Sequence, residues 1–503
     1  MFFIIFGIIG ILVLFHVYFM KLYKYWDQNG IPTYLRYHPY IDFVRVILNK
    51  NNFHEDIIQL YNGLPDKQVY GSYPFRIPQL IVKDPDIIRN IMVKDFDHFV
   101  NHLDGFFNAD PLFGKSLFAL KDKKWRDMRT ILSPVFTGSK LRGLCELISE
   151  CGTQTMDHYS EMCRQKQNNV LKIDFLDACT RFTNDVIASV AFGIKVNSLT
   201  HPNNEFFNAG HEISKFATWR MFLIFKFPSL CKIFKIRFAP NYVYDFFTNI
   251  TESTLRARKE QNIMRYDIIY LLTEAQKEQI KNDPSSKNIL TTEDITSQVV
   301  IFFLAGYANV AIIMAFAAYE LALQPDLQKR LQKEIDTVLK ENNGKLDYEV
   351  IKSMKFLDMV VTETLRKWPP SAALDRQCNK SFEINTNNNE TINVKPGMII
   401  NIPVMGLHYD PKYYPNPEKF DPERFNDENK AKLNPYTYLP FGYGPRVCIA
   451  SRFVILETKM FLIQLLSKFN VVVTEKTPIP IRLVRGSILK PDTDFGLGLQ
   501  LRQ

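Results

Sequence analysis

The stretch Phe441-Gly442-Tyr443-Gly444-Pro445-Arg446-Val447-Cys448-Ile449-Ala450 sets a cysteine at the end of a tight loop, where a long helical pattern begins. Two glycines and a proline shape the loop. Amides at a helix N-terminus stabilise anions, so a thiolate is favoured there. A shielded thiolate is a soft ligand, and one face of a haem iron is a natural target for it. Arg446, two residues earlier, suits a cofactor carboxylate. A lone cysteine is ordinarily an inert buried thiol. The order of all ten residues gives Cys448 its chemical reading.

Other residues have spacings that can do work. Trp125 and Arg129, four apart, share one helix face, which taken alone is the pattern of a solvated amphipathic helix. Glu363 and Arg366, three apart, also share a face, and a lone copy is a surface ion pair worth little. Arg376 sits in the strand-like Leu374-Asp375-Arg376-Gln377-Cys378, and His408 reads as structural. A long apolar pattern over residues 293–323 carries Ala305-Gly306-Tyr307-Ala308-Asn309, whose small residues let a ligand come close.

The elements that must position these residues follow from hydrophobic patterning. Short strands are expected within 69–84, and helical patterns dominate from there to 380. Residues 293–323 are apolar nearly all round, so that helix should run through the core, and Pro325 ends it. Helices over 326–339 and 348–367 follow, the second stopping before Pro369-Pro370. After an irregular Pro-rich stretch at 410–425, a final helix covers 449–469, with strands at 471–473 and 496–501. The fold class is mainly α with small β-sheets, in one large domain over 33–503.

The 503 residues are 46% hydrophobic and 23% charged, which excludes bulk disorder, and 21 Gly with 27 Pro exclude a collagen-like chain. Forty Phe and 23 Tyr can fill an aromatic core or line a greasy pocket. The net charge of +9 is mild over this length, with no basic stripe. It suits an acidic partner protein or a membrane surface, and nucleic acid is not an expected partner. Seven irregularly spaced cysteines without a CxxC pair argue against disulfides and zinc and for a reducing compartment.

Residues 1–20 contain no Asp, Glu, Lys or Arg, a length and composition that span a bilayer as a helix. A cleaved signal peptide would start with basic residues and run shorter. Lys21 and Lys24 after the run favour a retained anchor with the body on the cytosolic side. Residues 21–32 then read as a turn-rich linker. Asn249, Asn379 and Asn389 lie in Asn-x-Ser/Thr triplets, which a cytosolic body leaves unmodified.

The loop at 441–450 resembles the haem-ligand signature of the cytochrome P-450 superfamily, Phe-x-x-Gly-x-Arg-x-Cys-x-Gly. It matches at Phe441, Gly444, Arg446 and Cys448, with Ala450 in place of the last glycine. Further motifs come in the family's order. Trp125 and Arg129 resemble the Trp-x-x-x-Arg helix at the haem propionates, and Arg376 the strand arginine that holds a propionate. Glu363 and Arg366 resemble a buried Glu-x-x-Arg pair that locks onto a downstream arginine, here Arg424. The resemblance spans nearly the whole chain and is nearest to the insect-type microsomal branch that handles foreign lipophilic compounds. It implies haem b ligated by Cys448 and a monooxygenase that puts one oxygen atom from dioxygen into a lipophilic small molecule. It also implies NADPH electrons from a separate flavoprotein reductase, cytochrome b5 as a second partner, and residence on the cytosolic face of the endoplasmic reticulum membrane. No Gly-rich dinucleotide fingerprint occurs in the chain itself. By family position, Phe106, Phe107, residues 305–309 and residues 371–374 line the pocket, while residues 219–228, apolar with two cations, read either as a segment that dips into the membrane or as a buried helix.

The chain departs from the family over the oxygen face. Where the family carries Ala-Gly-x-(Asp/Glu)-Thr, this sequence has Ala305, Gly306, Tyr307, Ala308 and Asn309. A hydroxyl donates, accepts and orders water, and an acid relays protons. Alanine does neither, and asparagine hydrogen-bonds without titrating. Three readings follow: a monooxygenase in which Asn309 and water substitute, with leakage to peroxide; an isomerase or dehydratase that needs no delivered proton; or a low-turnover haem protein that sequesters ligands.

Overall fold

The computed structural model describes residues 52–502 apart from 75–76, 104–109, 111, 167–169, 215–223, 225–230, 232, 235, 262–263, 266, 283–289 and 485–488. It also describes residues 23–38 and scattered positions around them. Most of the expected anchor at 1–20, Phe106, Phe107 and nearly all of 219–228 lie outside the described residues.

Among the described residues the longer helices are α1 Phe53–Tyr61, α2 Asp122–Leu132, α3 Gly138–Arg164, α4 Phe175–Ile187, α5 Glu205–Ser214 and α6 Asn241–Gln261. They continue with α7 Ile268–Asn282, α8 Thr292–Leu323, α9 Pro325–Glu341, α10 Lys355–Lys367 and α11 Ser451–Lys468. Thr291 starts α8 with a reciprocal cap. Its hydroxyl accepts from the Asp294 amide, and the Asp294 carboxylate accepts from the Thr291 amide at 2.9 Å. Gln324 ends α8 in an extended conformation, as a residue before proline prefers, and Pro325 opens α9 at a position where its missing N–H costs nothing. Among the described residues α8 alone is long and apolar enough to cross a membrane, yet 72% of its most apolar window is buried inside the fold. It is the core helix that its all-round apolar pattern anticipates. Its neighbours are α4 above all, then the strand Phe469–Val473 and α11.

The expected helix over 348–367 is two, Tyr348–Ser353 and α10, because Met354 takes an extended conformation between them. Apolar periodicity continues through that break, so the pattern does not mark it.

Strands β1 Val69–Ser72, β2 Gln79–Val82, β7 Ile399–Ile402 and β4 Leu374–Gln377 form one sheet in that spatial order. Arg376 on β4 sits opposite Ile400 on β7. β3 Val170–Asp174, β9 Gly496–Leu501 and β8 Phe469–Val473 make a second sheet, and β5 Phe382–Asn385 with β6 Thr391–Val394 a hairpin. The main core surrounds α8, and a second core lies under the four-stranded sheet. Much of the phenylalanine goes into packing between helices. Phe192, Phe206, Phe247 and Phe303 form one cluster, with Phe303 centroids 5.0 Å from Phe247 and 5.3 Å from Phe206. Each such pair adds about 0.5–1.5 kcal/mol beyond area burial.

Within 21–32, Tyr25–Gln28 is a helical turn and Trp26 is fully buried. Its indole donates to the Ser72 carbonyl at 3.0 Å. The ring fills the space beside Gly71, where an added Cβ would lie 2.3 Å from it.

Candidate functional site

The loop before α11 depends on its glycines. Gly442 and Gly444 have φ of +74° and +71°, a region that glycine occupies without strain. A Cβ on Gly444 would stand 2.0 Å from the Met92 carbonyl oxygen, so the backbones meet there with no room for a side chain. The Cys448 amide donates to the Phe441 carbonyl at 2.9 Å, closing the loop. Ala450 has φ of −96°, which any residue adopts, so the alanine that departs from the signature brings no strain. Cys448 precedes α11 by three residues. Burial pushes its thiol up, while the Ala450 amide and the Arg129 charge pull it down. The Ala450 amide acts in the direction expected of a position just ahead of a helix, against the larger influence of burial.

Around this loop the structure gathers the expected cations. Arg446 is buried, with Nε donating to the Val100 carbonyl at 2.9 Å, Nη1 to Leu117 at 3.2 Å and Nη2 to Leu120 at 2.8 Å. Its guanidinium lies 4.1 Å from the centroid of the buried Trp125 ring. Arg376 is 1% exposed. Its Nη1 donates to its neighbour's carbonyl at 2.7 Å, and its Nε has no partner. Burial pushes Arg446 down to about 9, with Arg376 and Arg129 adding repulsion. Burial also lowers Arg376 and Arg129.

Sequence reading missed His102. It donates from Nδ1 to Asp375 at 3.2 Å, and burial holds it below its ordinary value, so it is a neutral donor. It stacks on Phe118 with centroids 4.6 Å apart. Nothing in the spacing around position 102 announces this.

Arg446, repelled by both Arg376 and Arg129, and Arg376, with an orphaned buried Nε, form an edge suited to anions. A group that carries two carboxylates beside a thiolate-bound metal fits it. Trp125, Arg129, Arg376, Arg446 and Cys448 are the residues that would hold such a group, as the resemblance implies for a haem. Phe441 supports the loop through its carbonyl.

On α8, Ala305 and Asn309 are exposed, although Leu304, Tyr307 and Val310 beside them are buried. That face therefore borders an opening in the core. Asn309 donates from Nδ2 to the Ala305 carbonyl at 3.1 Å. Gly306 serves packing: a Cβ there would lie 3.3 Å from Cδ1 of Ile187 on α4. Ala308 is half-buried against the core. In 371–374, Ala372 is buried and Ser371 is exposed.

The Glu363 network is present. Arg366 donates to both carboxylate oxygens at 2.7 and 2.9 Å, and to the His408 and Pro417 carbonyls at 2.9 and 2.8 Å. The Asp421 amide adds a bond at 2.9 Å, and Arg424 stands 3.5 Å away as an ion-pair partner. Burial raises the Glu363 carboxyl, while Arg366, Asp421 and Arg424 counter it.

Comparison with known proteins gives a consistent result. The family model for cytochrome P450 matches residues 35–498. The chain is 40% identical to cytochrome P450 9e2 of Blattella germanica, covering 95% of this chain and 94% of that one. It is 40% identical to probable cytochrome P450 9f2 of Drosophila melanogaster, over 91% of each. Identity to cytochrome P450 6k1 of Blattella germanica is 34%, over 94% and 92%.

Proposed function

The chain belongs to the cytochrome P450 family, a haem-thiolate monooxygenase whose electrons come from NADPH through a reductase, and we propose that it oxygenates lipophilic small molecules with Cys448 as the iron ligand. The observation that carries this reading is the loop that presents Cys448 beside a buried edge of arginines which, among the described residues, have no side-chain acid bonded to them. When bound, the haem supplies dioxygen activation and transfer of one oxygen atom into a carbon–hydrogen bond.

The chain's own residues bind, orient and exclude water. Cys448 gives up its proton on ligation. Arg376 and Arg446, the latter braced by Trp125, would hold the cofactor's two carboxylates, with Arg129 as a third cation. The apolar wall of α8 favours lipophilic substrates. Asn309 is exposed, and with one N–H bonded to the Ala305 carbonyl it keeps a second N–H and its carbonyl oxygen for water or substrate. No group at 305–309 on that face titrates, so proton delivery relies on ordered water.

A groove of about 890 Å³ is lined by Arg142, Lys352, Lys355 and Arg452 and equally by Glu334, Glu349, Asp358, Glu423 and Asp427, with Arg142 paired to Glu349 at 2.9 Å and Lys355 to Asp427 at 2.7 Å, so it presents mixed charge to a partner. The apolar 1–20 run supports an anchored protein, with the 33–503 domain on the cytosolic face of the endoplasmic reticulum and cytochrome b5 as an auxiliary donor.

Two measurements test the reading. The reduced protein with carbon monoxide should give the thiolate-type difference spectrum, and Cys448→Ser should lose it. With NADPH, reductase and labelled dioxygen, a lipophile panel should yield product carrying one labelled oxygen. Product without label would replace oxygenation by isomerisation.

A further inference from the structure

We propose that Asp122 is the positioning residue for the cofactor's carboxylate edge, clamping together the chain segments that carry it; this rests on the reading of that edge as the haem site. Asp122 opens α2, the helix of Trp125 and Arg129, and it is a non-glycine residue at φ +47°. Side chains are seldom held in this left-handed region unless the surroundings determine it, although aspartate tolerates it better than most.

The surroundings here are two asparagines from distant segments. Asn101, 5% exposed, donates from Nδ2 to Asp122 Oδ1 at 2.9 Å, and its own Oδ1 accepts from the Asp122 amide at 2.9 Å. Asn379 donates from Nδ2 to the same Oδ1 at 2.7 Å, across 257 residues of sequence. Backbone bonds finish the junction. The Gln377 amide donates to the Asn101 carbonyl at 2.8 Å, and the Asn379 amide to the His98 carbonyl at 2.7 Å.

Each clamped segment carries a residue of the edge next to the clamp. Asn101 is flanked by His102 and by Val100, whose carbonyl holds Arg446. Asn379 follows the strand of Arg376. Asp122 lies one residue from Lys121, which follows Leu120, the second carbonyl that holds Arg446. One carboxylate oxygen thus ties the strand, the helix and the 98–103 segment into a single register. Two of these segments bear Arg376 and Arg129, each of which repels Arg446 at the centre of the edge. Asp122 itself touches solvent and need not touch the cofactor, so its action runs through the residues it aligns.

The test uses the haem-loaded protein and measures haem transfer to excess apomyoglobin, beside a urea unfolding curve. Asp122→Gly keeps the backbone conformation and removes the acceptor. Asp122→Asn keeps an oxygen acceptor. The expectation is haem release about tenfold faster for Asp122→Gly, as for loss of supporting partners at other metal centres, with Asp122→Asn close to wild type. Asn379→Ala, at a half-buried position, should show a smaller acceleration and serves if the glycine variant folds poorly. Release at the wild-type rate in Asp122→Gly and Asn379→Ala overturns the proposal. So does equal acceleration in Asp122→Gly and Asp122→Asn, or a lowered urea midpoint with unchanged release. Wild-type protein that takes up no haem, or binds it without the thiolate spectrum, would sink the underlying site reading before any variant is made.

Discussion

Gly444 shows how much of the site is set by single atoms. An added methyl would overlap the Met92 carbonyl and also force an unfavourable φ. Gly444→Ala should therefore cost about 1–3 kcal/mol of local strain and lower the haem-to-protein ratio, measured by absorbance on purified protein. At Asn309 one side-chain N–H is bonded to the Ala305 carbonyl, which leaves the second N–H and the carbonyl oxygen for water or substrate, neither of them titratable. The pair Ala308→Glu with Asn309→Thr should reduce peroxide formed per NADPH consumed. Unchanged coupling would contradict the role given to that segment. The ligand loop was legible in sequence because its geometry is local: φ-positive glycines, a proline and a cysteine within ten residues. Asn101, His102, Asp122 and Asn379 were not legible, because their bonds join segments up to 273 residues apart, and no spacing rule reaches that far.

At the scale of elements, α8 and α4 approach closely because Gly306 leaves Ile187 room. Gly306→Val should push α4 outward and lower the melting temperature, by overpacking of about 1–3 kcal/mol. Combining it with Ile187→Ala should recover part of the loss. The Glu363 pair belongs to this scale as well, since it ties α10 to the segment after Asn416. Glu363→Gln leaves Arg366 buried without its counter-charge, a loss of about 3–5 kcal/mol. The expected result is protein recovered without haem, checked by yield and absorbance. The main helices and strands were legible from period and from proline. The break at Met354 was not, because the apolar stripe runs through it while the backbone turns.

At the scale of the whole molecule, acid sensitivity follows from two buried histidines. His408 donates from Nδ1 to the Arg366 carbonyl and accepts at Nε2 from the Leu439 amide, both at 2.9 Å. Burial pushes it down to about 3, and burial pushes His54 down to about 4. The unfolded chain binds these protons near pH ~6.5 and the folded chain does not, so the stability they contribute is complete above that pH. It falls as pH drops toward 4 and then 3. The slope is at most about 1.4 kcal/mol per pH unit for each group. Urea midpoints should decline over that window, and His408→Gln should flatten the decline. The indole of Trp26 bears on mechanics at the same scale. With that ring seated beside Gly71, and Pro32 and Tyr34 bonded to the Gly71 backbone at 2.8 and 2.9 Å, the chain leaves the body in a fixed direction. Whatever grips the residues ahead of it acts through a strut, not a slack leash, and so governs the tilt and height of the entire particle.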